Sequence, residues 1–247
     1  GSYSRLASWF LGLDKVYEAT FQFGVGTDTL DPVGTEDSRG PIPAEAVVKN
    51  SLARFTGLIE QMPPRYSALH VKGQRASDLA LRGVEFELKA RGVTIYSLEL
   101  KHYDAESGKG EFRIHCSSGT YIRALAYDLG QALGPGAHLA GLRRLAVGQL
   151  VAEDAISLDT LHDAEAGGAW QRYVRPMRDA LQHMPSVVLQ AADEARVRFG
   201  QTVALQADAD QGLHCAYDAN GELIAILRFS VAQAAWQPIK VLSVRAP

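Results

Sequence analysis

Cysteine is scarce in this sequence: the 247 residues contain two, Cys116 and Cys215. Two thiols so far apart offer neither a disulfide framework nor a zinc or redox spacing. They fit a reduced, cytoplasmic protein in which each thiol serves as a small buried apolar group. No apolar run approaches the roughly 18 residues that a membrane-spanning helix needs, and no basic-then-apolar leader opens the chain. The expectation is a protein without membrane attachment. The patterns that bind nucleotides or hydrolyse bonds are missing too: no Walker loop, no G-x-S-x-G, no H-E-x-x-H and no G-x-G-x-x-G. Gly24-Val25-Gly26 lacks the third glycine of a dinucleotide loop. The seven histidines show no ligand spacing, so neither a metal nor a cofactor is expected. The chain also lacks an initial methionine and opens Gly1-Ser2, so the expectation is that these first residues are not a natural N-terminus and that upstream sequence can precede them.

Charge of either sign is not in excess. The formal net charge is -3, from 25 Lys+Arg and 28 Asp+Glu. It is unevenly spread: residues 1–150 hold 17 basic and 16 acidic residues, and residues 151–247 hold 8 and 12. Local basic stretches still stand out in the first part. Arg65, His70, Lys72 and Arg75 follow one another with no acid between them. Such patches can hold phosphates within a mildly acidic chain, and they are also compatible with an ordinary solvated surface.

What is present reads as a mixed α and β chain. Residues 16–24 alternate as a strand, and the Gly-, Asp- and Thr-rich run after it reads as a long loop. Residues 43–55 have the periodicity of an amphipathic helix, and residues 75–82 that of a short one. Residues 90–103 and 110–116 alternate as a hairpin. The run from Gly119 to Leu133 places Ile122, Leu125, Ala126, Leu129 and Leu133 on one helical face, ended by Gly134-Pro135-Gly136. A strand is expected over 143–151, helices over 157–162 and 170–181, and a flexible joint over 163–169. The texture then changes. Residues 186–190, 202–206, 213–218, 222–229 and 236–244 read as short strands of a small β-rich module, with a boundary near 182–186.

Three stretches have the composition of a nucleic-acid site. In Arg65-Tyr66-Ser67-Ala68-Leu69-His70-Val71-Lys72-Gly73-Gln74-Arg75, an aromatic sits among cations that can hold phosphates while the ring stacks a base. In Ser117-Ser118-Gly119-Thr120-Tyr121-Ile122-Arg123, a strand-to-helix corner carries an arginine in the first helical turn. The helix dipole disfavours a cation there, so the placement calls for a specific acceptor such as a carboxylate or phosphate. The third stretch, Gly136 to Gly148, sets the pair Arg143-Arg144 beside an apolar run. That suits an RNA-facing edge as well as a charge-protected sheet edge.

Taken in order, these stretches resemble the motifs of the TruB family of tRNA pseudouridine synthases. The resemblance extends to Asp14–Gly34, which follows the pattern DKxYxAxxxxGxxTDTxDxxG. It also covers Tyr66-Ser67-Ala68-Leu69 with Gly73 and Arg75, Gly119-Thr120-Tyr121-Ile122-Arg123, Asp128-Leu129-Gly130, and Leu142-Arg143-Arg144-Leu145. It implies an α+β fold: a mixed, mainly antiparallel sheet of pseudouridine synthase type flanked by helices over residues 1–182, and a small PUA-like RNA-binding domain over 183–247. The implied reaction is isomerisation of uridine 55 in the tRNA T loop to pseudouridine, without a cofactor. The target base must leave its stack. The resemblance implies catalytic roles for Arg123 and Tyr66, with Arg123 paired to the family's aspartate nucleophile and Tyr66 on the flipped base. It places Tyr66, Tyr121 and Leu142 in the base pocket, and the basic residues Arg65, Lys72, Arg75, Arg143 and Arg144 are the expected RNA contacts. The implied partner is the tRNA T arm, bound by a monomer.

The sequence departs from the family in one respect. The family's aspartate belongs to a Gly-x-Leu-Asp-Pro-x-Ala-like motif upstream of the DKxY run, and these 247 residues do not contain it. Leu30-Asp31-Pro32 is present but lies after that run, where the resemblance places a noncatalytic aspartate. The alternative to an enzyme is a protein of the same fold that binds or folds tRNA without chemistry.

Overall fold

The computed structural model describes residues 2–134, 136–205 and 212–242. Pro135, Gln206 and residues 243–244, which ended three of the expected elements, lie outside the described residues. The chain forms two compact units, one of residues 9–153 and one of residues 1–8 with 154–247.

A short helix, α1 (Ala7–Leu11), precedes β1 (Lys15–Phe23). The loop expected next contains a small hairpin, β2 (Val25–Thr27) with β3 (Glu36–Arg39), followed by α2 (Glu45–Ser51). An edge strand the sequence did not announce, β4 (Gly57–Gln61), comes after it. Then come the two-residue strands β5 (His70–Val71) and β6 (Gln74–Arg75) and the helix α3 (Ala76–Leu81). Lys72 and Gly73 turn β5 into β6 with φ of 49° and 83°, the left-handed pair that a two-residue hairpin turn requires. The long strands β7 (Arg91–Asp104) and β8 (Lys109–Cys116) form the expected hairpin. Its turn is held by Asp104, which accepts from the backbone N–H of Glu106 and from the Ser107 hydroxyl. The helix α4 (Ile122–Leu133) and the strands β9 (Ala137–Val147) and β10 (Leu150–Val151) complete the unit.

Six of these strands make one antiparallel sheet in the order β10-β9-β1-β8-β7-β4. Alternation explains it. In β8, Gly110, Phe112, Ile114 and Cys116 turn inward while Lys109, Glu111 and Arg113 face out. Phe21 of β1 stacks on Phe112 with ring centroids 4.5 Å apart. The apolar face of α4, with Ile122, Leu125, Ala126 and Leu129, closes the same core. Each such side chain contributes roughly 1.5–3 kcal/mol by leaving water. At Gly130 a Cβ would come within 2.1 Å of the backbone nitrogen of Ala137, so only glycine lets α4 approach β9 this closely.

The second unit contains α5 (Leu158–Ala166), a 3-10 turn over Trp170–Tyr173, α6 (Met177–Ala180), β11 (Ser186–Val188) and α7 (Ala191–Arg198). The strands β12 (Leu213–Tyr217), β13 (Leu223–Ser230) and β14 (Ala235–Val241) follow. The sheet order is β11-β12-β13-β14, with β11 parallel to β12 and the other pairs antiparallel.

Several expectations change here. The expected joint over 163–169 is helical as far as Ala166, because Ala164 is buried and anchors the last turn of α5. The helix expected over 170–181 is two pieces. Pro176 interrupts it, lacking an N–H to continue the ladder and forcing the preceding residue out of helical geometry. Residues 202–205 form a single bridge, Val203 to Trp236, rather than a strand. The helix α7 was not foreseen at all. The second unit also begins well before the boundary drawn near 182–186. Leu181 is fully buried, Arg178 lies 4.7 Å over the Tyr217 ring, and the Cys215 N–H donates to the Pro185 carbonyl. The segment leading into the β-rich module is therefore packed onto it. Both cysteines are free and buried, and burial pushes the Cys215 thiol up to about 11, as befits an inert packing group.

Candidate active site

The loop from β2 to β3 is organised by its own side chains. The Thr27 hydroxyl donates to the Asp31 carbonyl at 2.8 Å, and the Leu30 N–H to the Thr27 carbonyl at 3.1 Å. Leu30 takes a left-handed φ of 65°. That strain is held by three surrounding bonds, the third from Leu139 N–H of β9 to the Leu30 carbonyl at 3.0 Å. The sharp corner aims Asp31 at α4. A Cβ on Gly34 would meet Thr29 Oγ1 at 2.2 Å, so this glycine closes the loop.

Arg123, in the first turn of α4, meets that loop. Its Nη1 lies 2.8 Å from Asp31 Oδ2 and donates as well to the Thr29 carbonyl at 3.2 Å, and its Nη2 donates to the Tyr66 carbonyl at 2.6 Å. The cation in an unfavourable helical position thus has its acceptor, a carboxylate supported by two carbonyls. Both side chains of the pair are 24% exposed. The other carboxylate oxygen, Asp31 Oδ1, accepts from Thr29 Oγ1 at 2.7 Å and from the Val33 N–H at 3.2 Å. Burial is the largest single influence on the Asp31 carboxyl and acts to raise its pKa. The Thr29 and Val33 hydrogen bonds and the Arg123 charge together outweigh it and hold the group below the usual carboxylate range.

The corner before α4 is fixed from the other side. Gln61, fully buried at the end of β4, accepts from the Tyr121 N–H at 2.8 Å and donates to the Tyr121 carbonyl at 3.1 Å. Nothing in its sequence neighbourhood distinguishes Gln61 from a surface glutamine. Thr29 was likewise missed as a site residue, although its place inside Thr27-Asp28-Thr29-Leu30-Asp31 was the available signal.

Of the residues singled out from sequence, the structure joins Arg123 to Tyr66, while Tyr121 is held separately by Gln61. Tyr66 takes part through its carbonyl and is half-buried. Leu142, half exposed on β9, lines a different cleft of about 400 Å3 with Arg143, Glu18, Thr20, Lys101 and Glu111. Arg144 pairs in register with Tyr17 of β1. Arg65 lies 5.0 Å over the Phe86 ring and donates to the Val84 carbonyl, so part of its surface is already engaged. Lys72 and Arg75 are exposed on the small hairpin, Arg75 at the N-cap of α3. Among the described residues, no group of three or more His, Cys, Asp or Glu side chains could hold a metal ion.

The sequence matches a family profile described as TruB family pseudouridylate synthase (N terminal domain) over residues 1–122. A second, tRNA pseudouridylate synthase B C-terminal domain, matches residues 123–182. The tRNA pseudouridine synthase B of Cupriavidus metallidurans is 39% identical over 242 residues, which cover 92% of this chain and 75% of that protein. The chain belongs to the TruB family of pseudouridine synthases. The Coxiella burnetii tRNA pseudouridine synthase B is 37% identical over 92% of this chain and 74% of its own length. Among solved structures, an H/ACA RNP bound to a substrate RNA containing 2'-deoxyuridine superposes with a TM-score of 0.70. It covers 99% of this chain and 70% of that one at 22% identity. A Cbf5-Nop10-Gar1 complex gives 0.66 at the same identity. These likenesses fit a TruB-type α+β fold with its large antiparallel sheet, and no helix among the described residues is long and apolar enough to cross a membrane.

Proposed function

We propose that the chain is the tRNA-binding body and arginine-bearing part of a pseudouridine synthase acting on uridine 55 of the T loop. Its nucleophilic aspartate is supplied from outside these 247 residues. In such an isomerisation the N1–C1′ bond breaks and the C5–C1′ bond forms, while the C5 hydrogen leaves as a proton and N1 takes one up. The observation that carries the reading is the Arg123 guanidinium, held in the first turn of α4 by Asp31, Thr29 and Tyr66. Asp31 acts here as a positioning residue. Both its oxygens are committed, one to Arg123 and one to Thr29 and Val33, which lowers their nucleophilicity. Tyr66 and Tyr121 would receive the flipped uracil, and Leu142, on a separate cleft, would not share that pocket. Arg65, Lys72, Arg75, Arg143 and Arg144 would meet the T-arm phosphates. The protein would work as a cytoplasmic monomer, with residues 183–247 as a PUA-like RNA-binding module.

A second reading is favoured by the same 2.8 Å pair: Asp31 is itself the nucleophile, ionised and oriented by Arg123. Tritium release from a T-arm stem-loop labelled at uridine C5 separates the two. The expected result is RNA binding that weakens steeply with salt, because phosphate contacts release counterions, and no tritium release. Release that disappears in Asp31→Asn would make Asp31 the nucleophile. Salt-independent affinity would remove the RNA reading altogether. In a form extended by the upstream Leu-Asp-Pro motif, Arg123→Ala should abolish release while leaving most of the affinity.

A further inference from the structure

Gln61 ends β4, the edge strand of the six-stranded sheet, and is fully buried. A buried primary amide must find partners for its donors and its acceptor. One residue, 60 positions away in the chain, meets both needs: Oε1 accepts from the Tyr121 N–H at 2.8 Å, and Nε2 donates to the Tyr121 carbonyl at 3.1 Å. Tyr121 is the N-cap of α4, with extended φ of -98° and ψ of 108°, and its own side chain makes no capping hydrogen bond. Tyrosine is not a capping residue. Ser, Thr, Asp and Asn are, because a short side-chain oxygen reaches the first free N–H groups of the helix. The first turn of α4 holds no acid either, so no local capping box forms. Gln61 takes the N-cap N–H from a different strand, as the glutamine of a capping box does from within its own helix. The Tyr121 carbonyl is shared with the Leu125 N–H at 3.1 Å, the first bond of the α4 ladder.

We propose that Gln61 is a positioning residue for base recognition, a role that rests on the function proposed above. Two hydrogen bonds to one backbone residue fix its rotation as well as its place. They set the direction in which the Tyr121 ring leaves the corner toward the flipped uracil. Gln61 itself is sealed from the RNA. Simpler sequences would serve stability alone. An apolar residue at 61 would close the end of β4 without the cost of burying an amide, and Ser or Asp at 121 would cap α4 locally. The chain instead places an aromatic ring at the N-cap and a buried amide behind it.

The test compares two labelled T-arm stem-loops, one with uridine at the target position and one with an abasic ribose there, by fluorescence anisotropy with the full chain. The parent should bind the uridine form about tenfold more tightly, the share of affinity that the base contributes. Gln61→Met is close to Gln in shape, fills the same space and cannot hold Tyr121. It should reduce that ratio to about twofold or less while the affinity for the abasic RNA and the salt slope stay as in the parent. Tyr121→Ala should reduce the ratio similarly, and adding Gln61→Met to it should change nothing more, because one residue acts through the other. An undiminished ratio in Gln61→Met, an equal loss of affinity for both RNAs, or additive effects in the double variant would overturn the proposal alone. A parent that binds the two RNAs equally, or binds neither, would count against the proposed function, and the role of Gln61 in base recognition would fall with it.

Discussion

In the six-stranded sheet, β8 alternates strictly, one residue in the core and the next in water. In the four-stranded sheet, five successive residues of β13, Leu223–Leu227, are each 0–1% exposed. The first pattern belongs to a sheet packed on one face, here by α2 and α4. The second belongs to a strand covered on both faces, with Val197 of α7 and Trp236 of β14 in the same cluster. The contrast sets how each unit answers mutation. Introducing a charge anywhere along Leu223–Leu227 has no wet side to turn to. Ala225→Asp and Ile226→Asp should each cost more than about 4 kcal/mol and unfold the second unit. Arg113→Ser on the outer face of β8 should change stability by less than about 0.5 kcal/mol. Urea unfolding followed by near-UV circular dichroism would decide it; equal midpoints for the two kinds of variant would remove the distinction.

The same contrast explains how much of the molecule was legible in the sequence. Period-two alternation in β1, β7 and β8 and the helical face of α4 identify themselves, because one side of each element must meet water. Gly134 and Gly136, with Asp218-Ala219-Asn220-Gly221, mark their turns for the same local reason. The edge strand β4 was hidden because Gly57–Gln61 is short and its partner, β7, lies thirty-odd residues on in the chain. The helix α7 was hidden because its residues, AADEARVR, bury only Val197. At the site, Arg123 announced itself by contradicting the helix dipole, and the demand for an acceptor was correct. The acceptor's identity was not legible. Asp31 reaches Arg123 only because Leu30 turns left-handed and β9 binds its carbonyl, and these are long-range facts.

The Arg123–Asp31 junction sharpens the comparison, since it is a polar contact inserted beside an apolar core rather than part of one. Asp31→Ala would leave a guanidinium, 24% exposed, with only carbonyl partners. The expected cost is about 1–3 kcal/mol at neutral pH, less than for a fully buried pair. Because the folded-state pKa of Asp31 is depressed, the stabilisation is present above the unfolded value and is lost as pH falls through the folded one. The gap between the parent chain and Asp31→Ala should therefore close in acid. A gap as wide at pH 3 as at pH 7 would mean that packing, not charge, holds the loop.

Asp128 tests the opposite sign within the same unit and with a smaller effect. It lies on α4, half-buried, and burial raises its carboxyl from an ordinary 3.8 to about 6, with no hydrogen bond among the described residues to offset the loss of water. A carboxyl raised in the folded state binds more protons there than in the unfolded chain. Stability should accordingly fall as pH rises from about 4 through 6, the reverse of the Asp31 contribution. Asp128→Asn removes the charge at almost constant shape. It should raise stability at pH 7.5 by on the order of 1 kcal/mol once solvent screening is allowed for, and the gain should vanish below pH 4. Melting temperatures of the two proteins at those pH values are sufficient to check it. A gain of equal size at both would place the effect in packing along α4, and a loss at pH 7.5 would mean that the carboxylate of Asp128 has a partner that stabilises its charged form.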